Sequence, residues 1–174
     1  VGKLRGVELN ALIKRQLELN PALVAIRISD RDGELILGFE GSKAPPGSNI
    51  RENGYFIRHR HDSNLGLIVS EPIVEEIAAK LGASFSRSLI DRNGTFAGVV
   101  FAFFDLAAID AKIAAHDLGK NATIAVRNET LGLLARRPAL LINETIGSRI
   151  LSRPFQAALQ RDSTQGVYLS LIHI

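Results

Sequence analysis

No cysteine occurs among the 174 residues of this chain. That excludes a disulfide framework, a thiolate zinc site and a cysteine nucleophile, while leaving the compartment open. No stretch reaches the roughly 18 consecutive apolar residues of a membrane-spanning helix. The opening Val1-Gly2-Lys3-Leu4-Arg5 has none of the features of a signal peptide, and a first residue other than methionine reads as an excised fragment. Lysine and arginine number 21 against 18 acidic residues, but they are scattered, with short clusters only at Arg58/Arg60 and Arg136/Arg137. A nucleic-acid binder concentrates its charge in a stripe or carries a recognisable module, so no nucleic-acid partner is expected. Nucleophile elbow, phosphate loop and dinucleotide fingerprint are all missing. Serine, histidine and aspartate are present without a pattern that would assemble a triad. The expectation is a domain that is not an enzyme and carries no cofactor. What the chain does have is 46% hydrophobic and 22% charged residues, a globular balance with enough length for a real core.

Periodicity divides the chain. Residues 3–19 read as an amphipathic helix, with Leu4, Val7, Ala11, Leu12 and Leu19 near helical spacing and Lys14, Arg15 and Glu18 outward. Asn20-Pro21 stops it. Leu23 to Ser29 alternates as a strand, Asp30-Arg31-Asp32-Gly33 turns, and Glu34 to Phe39 returns. Residues 40–53 form a long Gly/Pro/Ser/Asn loop, of a length that is often functional. Leu65 to Val69 is a short strand, and Pro72 to Leu81 fits either helix or strand. Ala83 to Ile90 and Thr95 to Phe104 form a second hairpin around Asp91-Arg92-Asn93-Gly94. Its first strand sets Phe85, Arg87 and Leu89 on one face and Ser84, Ser86 and Ser88 on the other. Its second strand is apolar on both faces, the mark of a central strand. Leu106 to His116 is a helix. After a break near 117–120 come strands at Thr123 to Val126 and Leu131 to Ala135, a helix from Pro154 to Leu159, and a further strand from Gly166.

Three groups of polar residues could carry chemistry. Arg87, flanked by Phe85 and Leu89, needs a partner; an anionic ligand and an internal salt bridge both supply one. Asp105 closes a strand and opens a helix, so it is a natural N-cap, and a cap uses only one carboxylate oxygen. Tyr55, Arg58 and His59 share one helical face after the long loop, as a pocket wall or as a solvated loop with one buried aromatic. Arg60 and His61 belong to the opposite, solvent-facing side. The His59-x-His61 pair lacks a carboxylate at ligand spacing, so no metal site is expected.

The order of these pieces is similar to a known family. A helix, a hairpin and a long loop lead to Tyr-Phe-x-x-His, then Ser-Arg-Ser-Leu, then Asp-x-Asn-Gly-Thr-Phe-Ala-Gly-Val-Val, then Asp-Leu. This series resembles the double Cache sensor domains, PAS-like extracytoplasmic domains of bacterial receptors, and most of all those in front of diguanylate cyclases and histidine kinases. Asp117-Leu118-Gly119 and Leu133-Leu134-Ala135-Arg136-Arg137-Pro138 resemble the start of the membrane-proximal half. The resemblance runs from about Leu9 to Tyr168. It implies an α/β (α+β) fold of PAS-like antiparallel sheets with a long N-terminal helix and two subdomains, the second incomplete. The implied division is 1–20 as signalling helix, 21–117 as membrane-distal ligand-binding subdomain and 118–168 as truncated membrane-proximal subdomain. The tail 169–174 reads as non-native.

The resemblance also implies a periplasmic location in an inner-membrane protein whose flanking membrane helices are missing from the sequence. It further implies a small-molecule ligand of the carboxylate or amino acid class and a homodimer through the N-terminal helix. Asp105 then matches the aspartate that holds a ligand amine, and Tyr55 and Arg58 lie where the carboxylate is held. The candidate ligand-binding set is Tyr55, Arg58, His59, Arg87, Phe101, Phe103 and Asp105. The Arg-x-Trp-Tyr pattern of the amino-acid-binding subgroup is replaced here by Arg51-Glu52-Asn53-Gly54-Tyr55.

Overall fold

In a computed structural model, residues 6–37, 47–75, 79–116, 119, 122–138, 145–162 and 165 are described. Helix α1 (Gly6–Leu19) leads into strand β1 (Leu23–Ser29) and the short strand β2 (Leu35–Leu37). Helix α2 (Gly54–His61) follows, then β3 (Ile68–Val69), β4 (Ile73–Glu75), β5 (Lys80–Ile90), β6 (Phe96–Asp105) and α3 (Leu106–Ala114). A hairpin of β7 (Ile124–Arg127) and β8 (Leu133–Arg137) and a last helix, α4 (Arg153–Arg161), complete the described elements.

Strands β1 to β6 form one antiparallel sheet in the order β2-β1-β6-β5-β3, with β4 also paired to β5. The apolar run Phe96–Asp105 takes the centre, between β1 and β5. Both flanking turns use one device. Asp30 Oδ1 accepts from the Asp32 and Glu34 amides, and Asp91 Oδ1 from the Asn93 and Thr95 amides. Such Asx turns let a short side chain close the loop. Within the ambiguous segment 72–81, Ile73–Glu75 is strand and Lys80 and Leu81 open β5, with Ile73 opposite Gly82 and Glu75 opposite Lys80; residues 76–78 lie outside the described residues.

The two faces of the sheet are covered differently. On one, α2 closes over a cluster of Ile50, Tyr55, Phe56, Ile68, Val99 and Phe101. On the other, Ala83, Leu106 and Leu134 join α3 and β8 into a second cluster, with Phe85, Ile109 and Val126 against it. The hairpin β7–β8 is therefore packed onto the sheet through α3. The Arg137–Asp110 pair, whose Nε–Oδ1 distance is 2.8 Å, reinforces this contact.

The face of α1 differs from the expected one. Ile13, not among the residues read as its apolar stripe, is buried at 3% exposure, whereas Leu12 and Leu19 stand 47% and 64% exposed. Leu4 and the side chain of Val7 lie outside the described residues, as do the strand expected from Gly166 and the tail 169–174. No helix among the described residues is long and apolar enough to cross a membrane.

Candidate ligand-binding site

Helix α2 has eight residues, too few to be stable alone, so its position rests on what it buries. Tyr55, Phe56 and His59 point into the sheet. The Tyr55 ring packs on Phe101 with centroids 5.4 Å apart, and Phe56 meets Phe96 edge-on at 5.8 Å. His59 is fully buried and reaches Ser86 Oγ through Nε2 at 3.1 Å. The Ser86 hydroxyl donates to the Ile68 carbonyl at 3.3 Å, so Nε2 must carry the proton and donate to Ser86. Nδ1 is then a bare nitrogen, with no hydrogen-bond partner among the described residues.

Burial, with a smaller contribution from the Arg58 charge, holds His59 below its ordinary pKa of 6.5; the Ser86 contact and Glu129 pull the other way without reversing it. The unfolded chain therefore takes up a proton near pH 6.5 that the folded chain refuses. The His59 contribution to stability is fully present above that pH and is lost as the pH falls toward the folded-state value. We expect stability to drop with acidification below about pH 6.5, at up to about 1.4 kcal/mol per pH unit from this group. Urea titrations of the wild type and His59→Gln across pH 5 to 8 check this. Identical pH profiles for the two chains would refute it.

Beside α2 lies a cavity of about 410 Å³. Glu52, Asn53, Gly54, Tyr55 and Arg58 line one side, and Ile68, Val69, Ser70, Glu71 and Ile73 the other. Thr130, from the turn between β7 and β8, closes it. Its chemistry divides by wall. Tyr55 Oη accepts from Asn53 Nδ2 at 3.0 Å, which leaves the phenolic proton available to a further acceptor. Burial pushes the Tyr55 pKa up to about 12 against the opposing influence of Asn53 and Arg27, so the phenol stays a neutral donor. Arg58 sits at the rim and pairs with Glu129 through Nη1 at 2.5 Å. Across the cavity the Glu71 carboxylate accepts from the Thr130 hydroxyl and pairs with Arg149 Nη2 at 2.6 Å. The Thr130 bond leads the interactions that hold Glu71 below the ordinary carboxylate range. A guanidinium and a phenol on one side, a carboxylate on the other and an apolar wall between them suit a small anion or zwitterion.

Of the seven candidate residues, only Tyr55 and Arg58 line this cavity. His59 is next to them in sequence but lies beneath the helix, where its ring is spent on Ser86. Phe101 and Phe103 are core: the first supports the Tyr55 ring, and the second is 2% exposed beneath Gly82. Arg87 lies on the other face of the sheet. It pairs with Val100, whereas Ser86 pairs with Phe101, so alternation turns the exposed Arg87 away from α2. Asp105 sits at the far end of β6, opposite Gly82. One of its oxygens caps α3 by accepting from the Ala107 amide, and the other pairs with Lys80 Nζ at 2.9 Å. Burial alone would raise this carboxyl; Lys80 and the Ala107 amide outweigh it and keep its pKa low. The convergence of Arg87 and Asp105 on one hollow, expected from the hairpin, does not occur.

Of the comparisons with known proteins, the one with solved structures bears on the fold. No family model matches the chain, and no curated protein matches it. Among solved structures, the extracellular domain of rpHK1S-Z16, assigned as a histidine kinase, superposes with a TM-score of 0.70 at 25% identity. The match covers 88% of this chain and 61% of that one. The sensory domain of the Campylobacter jejuni chemoreceptor Tlp3, solved with isoleucine bound, gives a TM-score of 0.62 at 12% identity, over 90% of this chain and 59% of that one. The extracellular domain of mmHK1S-Z2, also assigned as a histidine kinase, gives 0.61 at 16%, over 90% and 66%. The fold is that of PAS-like extracellular sensor domains. This chain spans about three fifths of the length of the first of these.

Asp105 lines a second cavity instead, of about 540 Å³, between Lys80 and Leu81, the start of α3, and β8. Leu106, Leu133, Leu134 and Ile146 make it mostly apolar. The residues that sequence reasoning missed are Glu71 and Thr130, which line the first cavity, and Glu129, which pairs with Arg58 at its rim. Glu129 and Thr130 reach it because the β7–β8 turn lands on the Ser70–Pro72 segment, which carries Glu71 and where Asn128 Nδ2 donates to the Ser70 carbonyl at 3.2 Å. No local pattern at residues 128–130 announces that landing.

Proposed function

We propose that this chain is the extracytoplasmic ligand-sensing part of a bacterial signal-transduction receptor. It binds a small anionic or zwitterionic metabolite in the cavity beside α2 and passes the signal through its helices to a cytoplasmic diguanylate cyclase or histidine kinase. The observation that carries this reading is the placing of Arg58, Tyr55 and Glu71 around one apolar-walled cavity of about 410 Å³. Arg58 and the Tyr55 hydroxyl would take a carboxylate. An ammonium, where the ligand has one, would meet Glu71 rather than Asp105, because Glu71 lines the same cavity as Arg58 and Tyr55 and Asp105 lines the other one. The likeness of fold to an isoleucine-binding chemoreceptor domain supports an amino acid or a related carboxylate as the first class to try. In this reading the chain acts by binding, not by turnover. Residues 21–117 form the ligand-binding unit and 118–168 the beginning of a membrane-proximal one. The exposed Leu12 and Leu19 of α1 would meet a second copy.

The test is calorimetric titration with L-valine and with 3-methylbutanoate, its ammonium-free counterpart. Arg58→Gln is expected to weaken the carboxylate by roughly 10- to 100-fold, the size of a lost charged hydrogen bond. Its melting temperature should stay near that of the wild type, because an exposed ion pair contributes little to folding. Unchanged affinity in Arg58→Gln would place the ligand elsewhere. No heat with either probe would favour a dimerisation module without a small-molecule ligand.

A further inference from the structure

The cavity is not closed by the sheet unit alone. Its rim is tied to the β7–β8 turn by Arg58–Glu129 at 2.5 Å and the Thr130–Glu71 bond, and Arg149, beyond β8, also pairs with Glu71 at 2.6 Å. The two charged groups that face a ligand are thus the same two that hold the turn. A ligand carboxylate at Arg58 brings a second negative charge to a guanidinium that already carries Glu129. Two carboxylates within a few ångströms of each other at a half-exposed rim repel, and one guanidinium compensates only part of that.

We propose that Glu129 is a built-in competitor for Arg58, so that ligand binding and docking of the β7–β8 turn oppose each other. This rests on the ligand site proposed above and adds its regulation. Because coupling is reciprocal, whatever docks the turn more firmly lowers ligand affinity by the same factor that ligand loosens the turn. The loosening is local. The other end of the hairpin stays fixed, with Leu134 buried against Ala83 and Leu106 and Arg137 on Asp110. The Arg58 end moves and the α3 end serves as the pivot. Occupancy of the cavity is thereby turned into a tilt of the second unit, the element that would face the rest of the receptor.

The test uses Glu129→Gln, which keeps the shape and removes the charge, with Glu18→Gln on α1 as a control for net charge. Glu129→Gln is expected to bind 3-methylbutanoate roughly three- to tenfold more tightly than the wild type, with no gain in Glu18→Gln. In the wild type, saturating 3-methylbutanoate should also speed hydrogen exchange at the Gly132 amide, which donates to Asn128 Oδ1 at 2.8 Å behind the docked turn. Equal or weaker binding by Glu129→Gln, with exchange at Gly132 unmoved, would overturn the competition and leave the ligand site standing. Absence of binding in both chains would overturn the site itself and the competition with it.

Discussion

Replacing Gly98 by alanine is expected to remove at least about 3 kcal/mol of folding stability. Gly98 lies in the central strand β6 with φ at +144°, a conformation that side-chain-bearing residues rarely adopt and that costs on the order of 1–3 kcal/mol where it is imposed. The added Cβ would also fall 2.0 Å from the Ser29 carbonyl oxygen. That neighbour is backbone and cannot swing aside, so β1 and β6 must part locally. The parting reaches further because Ser29 is built into the same seam. It is fully buried, and its Oγ accepts from the Val99 amide at 3.1 Å. Against a total stability of about 5–15 kcal/mol, such a loss leaves a large unfolded fraction. Gly94 provides the control: it too has a positive φ, of 80°, but a Cβ there meets nothing within 4 Å. Gly94→Ala should cost only about 1–2 kcal/mol. Urea midpoints of the two variants decide the matter. If Gly98→Ala is no worse than Gly94→Ala, the close approach of β6 to Ser29 is wrong.

The sheet was largely legible from residue order, because its signals are local. Alternation separates Ser84, Ser86 and Ser88 from Phe85, Arg87 and Leu89, and the run to Phe104, apolar on both faces, marks a strand with neighbours on both sides. Which of the two β5 faces meets α2 is not local information. It is decided by the pairing of Ser86 with Phe101 and by His59 descending on that face, and residue order alone leaves the side of Arg87 open. The capping role of Asp105 can be read from its position before a helix. Its Lys80 partner cannot, since the two meet only through the Gly82–Asp105 pairing. In the cavity, Tyr55 and Arg58 follow from helical spacing, while Glu71, Glu129 and Thr130 come together across about 60 residues of chain. The stripe on α1 failed for a different reason. Among the described side chains of α1, Ile13 alone is buried, and Leu12 and Leu19 stay largely uncovered. Hydrophobic spacing reports which side chains ask for cover, not which find it within one protomer.

Truncating Phe56 to alanine should lower stability by about 3–5 kcal/mol and weaken ligand binding although Phe56 does not line the ligand cavity. Phe56 is the largest fully buried side chain of α2, and it packs with Ile50, Ile68 and Val99 as well as edge-on to Phe96. Removing the ring leaves a hole that the short helix can fill only by shifting. The shift would be felt at the cavity, because Tyr55 and Arg58 ride on this helix and their contacts with Phe101 and Glu129 depend on where it lies. A cavity that depends on Arg58 meeting a carboxylate at hydrogen-bond distance tolerates little displacement, since such bonds weaken steeply away from good geometry. Phe56→Leu keeps most of the volume and should lose roughly a third as much stability, with affinity close to that of the wild type. The two variants therefore separate packing from contact: calorimetry with 3-methylbutanoate under conditions where Phe56→Ala is still folded should show a loss that Phe56→Leu does not share. A Phe56→Ala chain that melts within about 1 kcal/mol of the wild type would mean that α2 is held by something other than its buried face, and the placing of Arg58 would lose its physical basis.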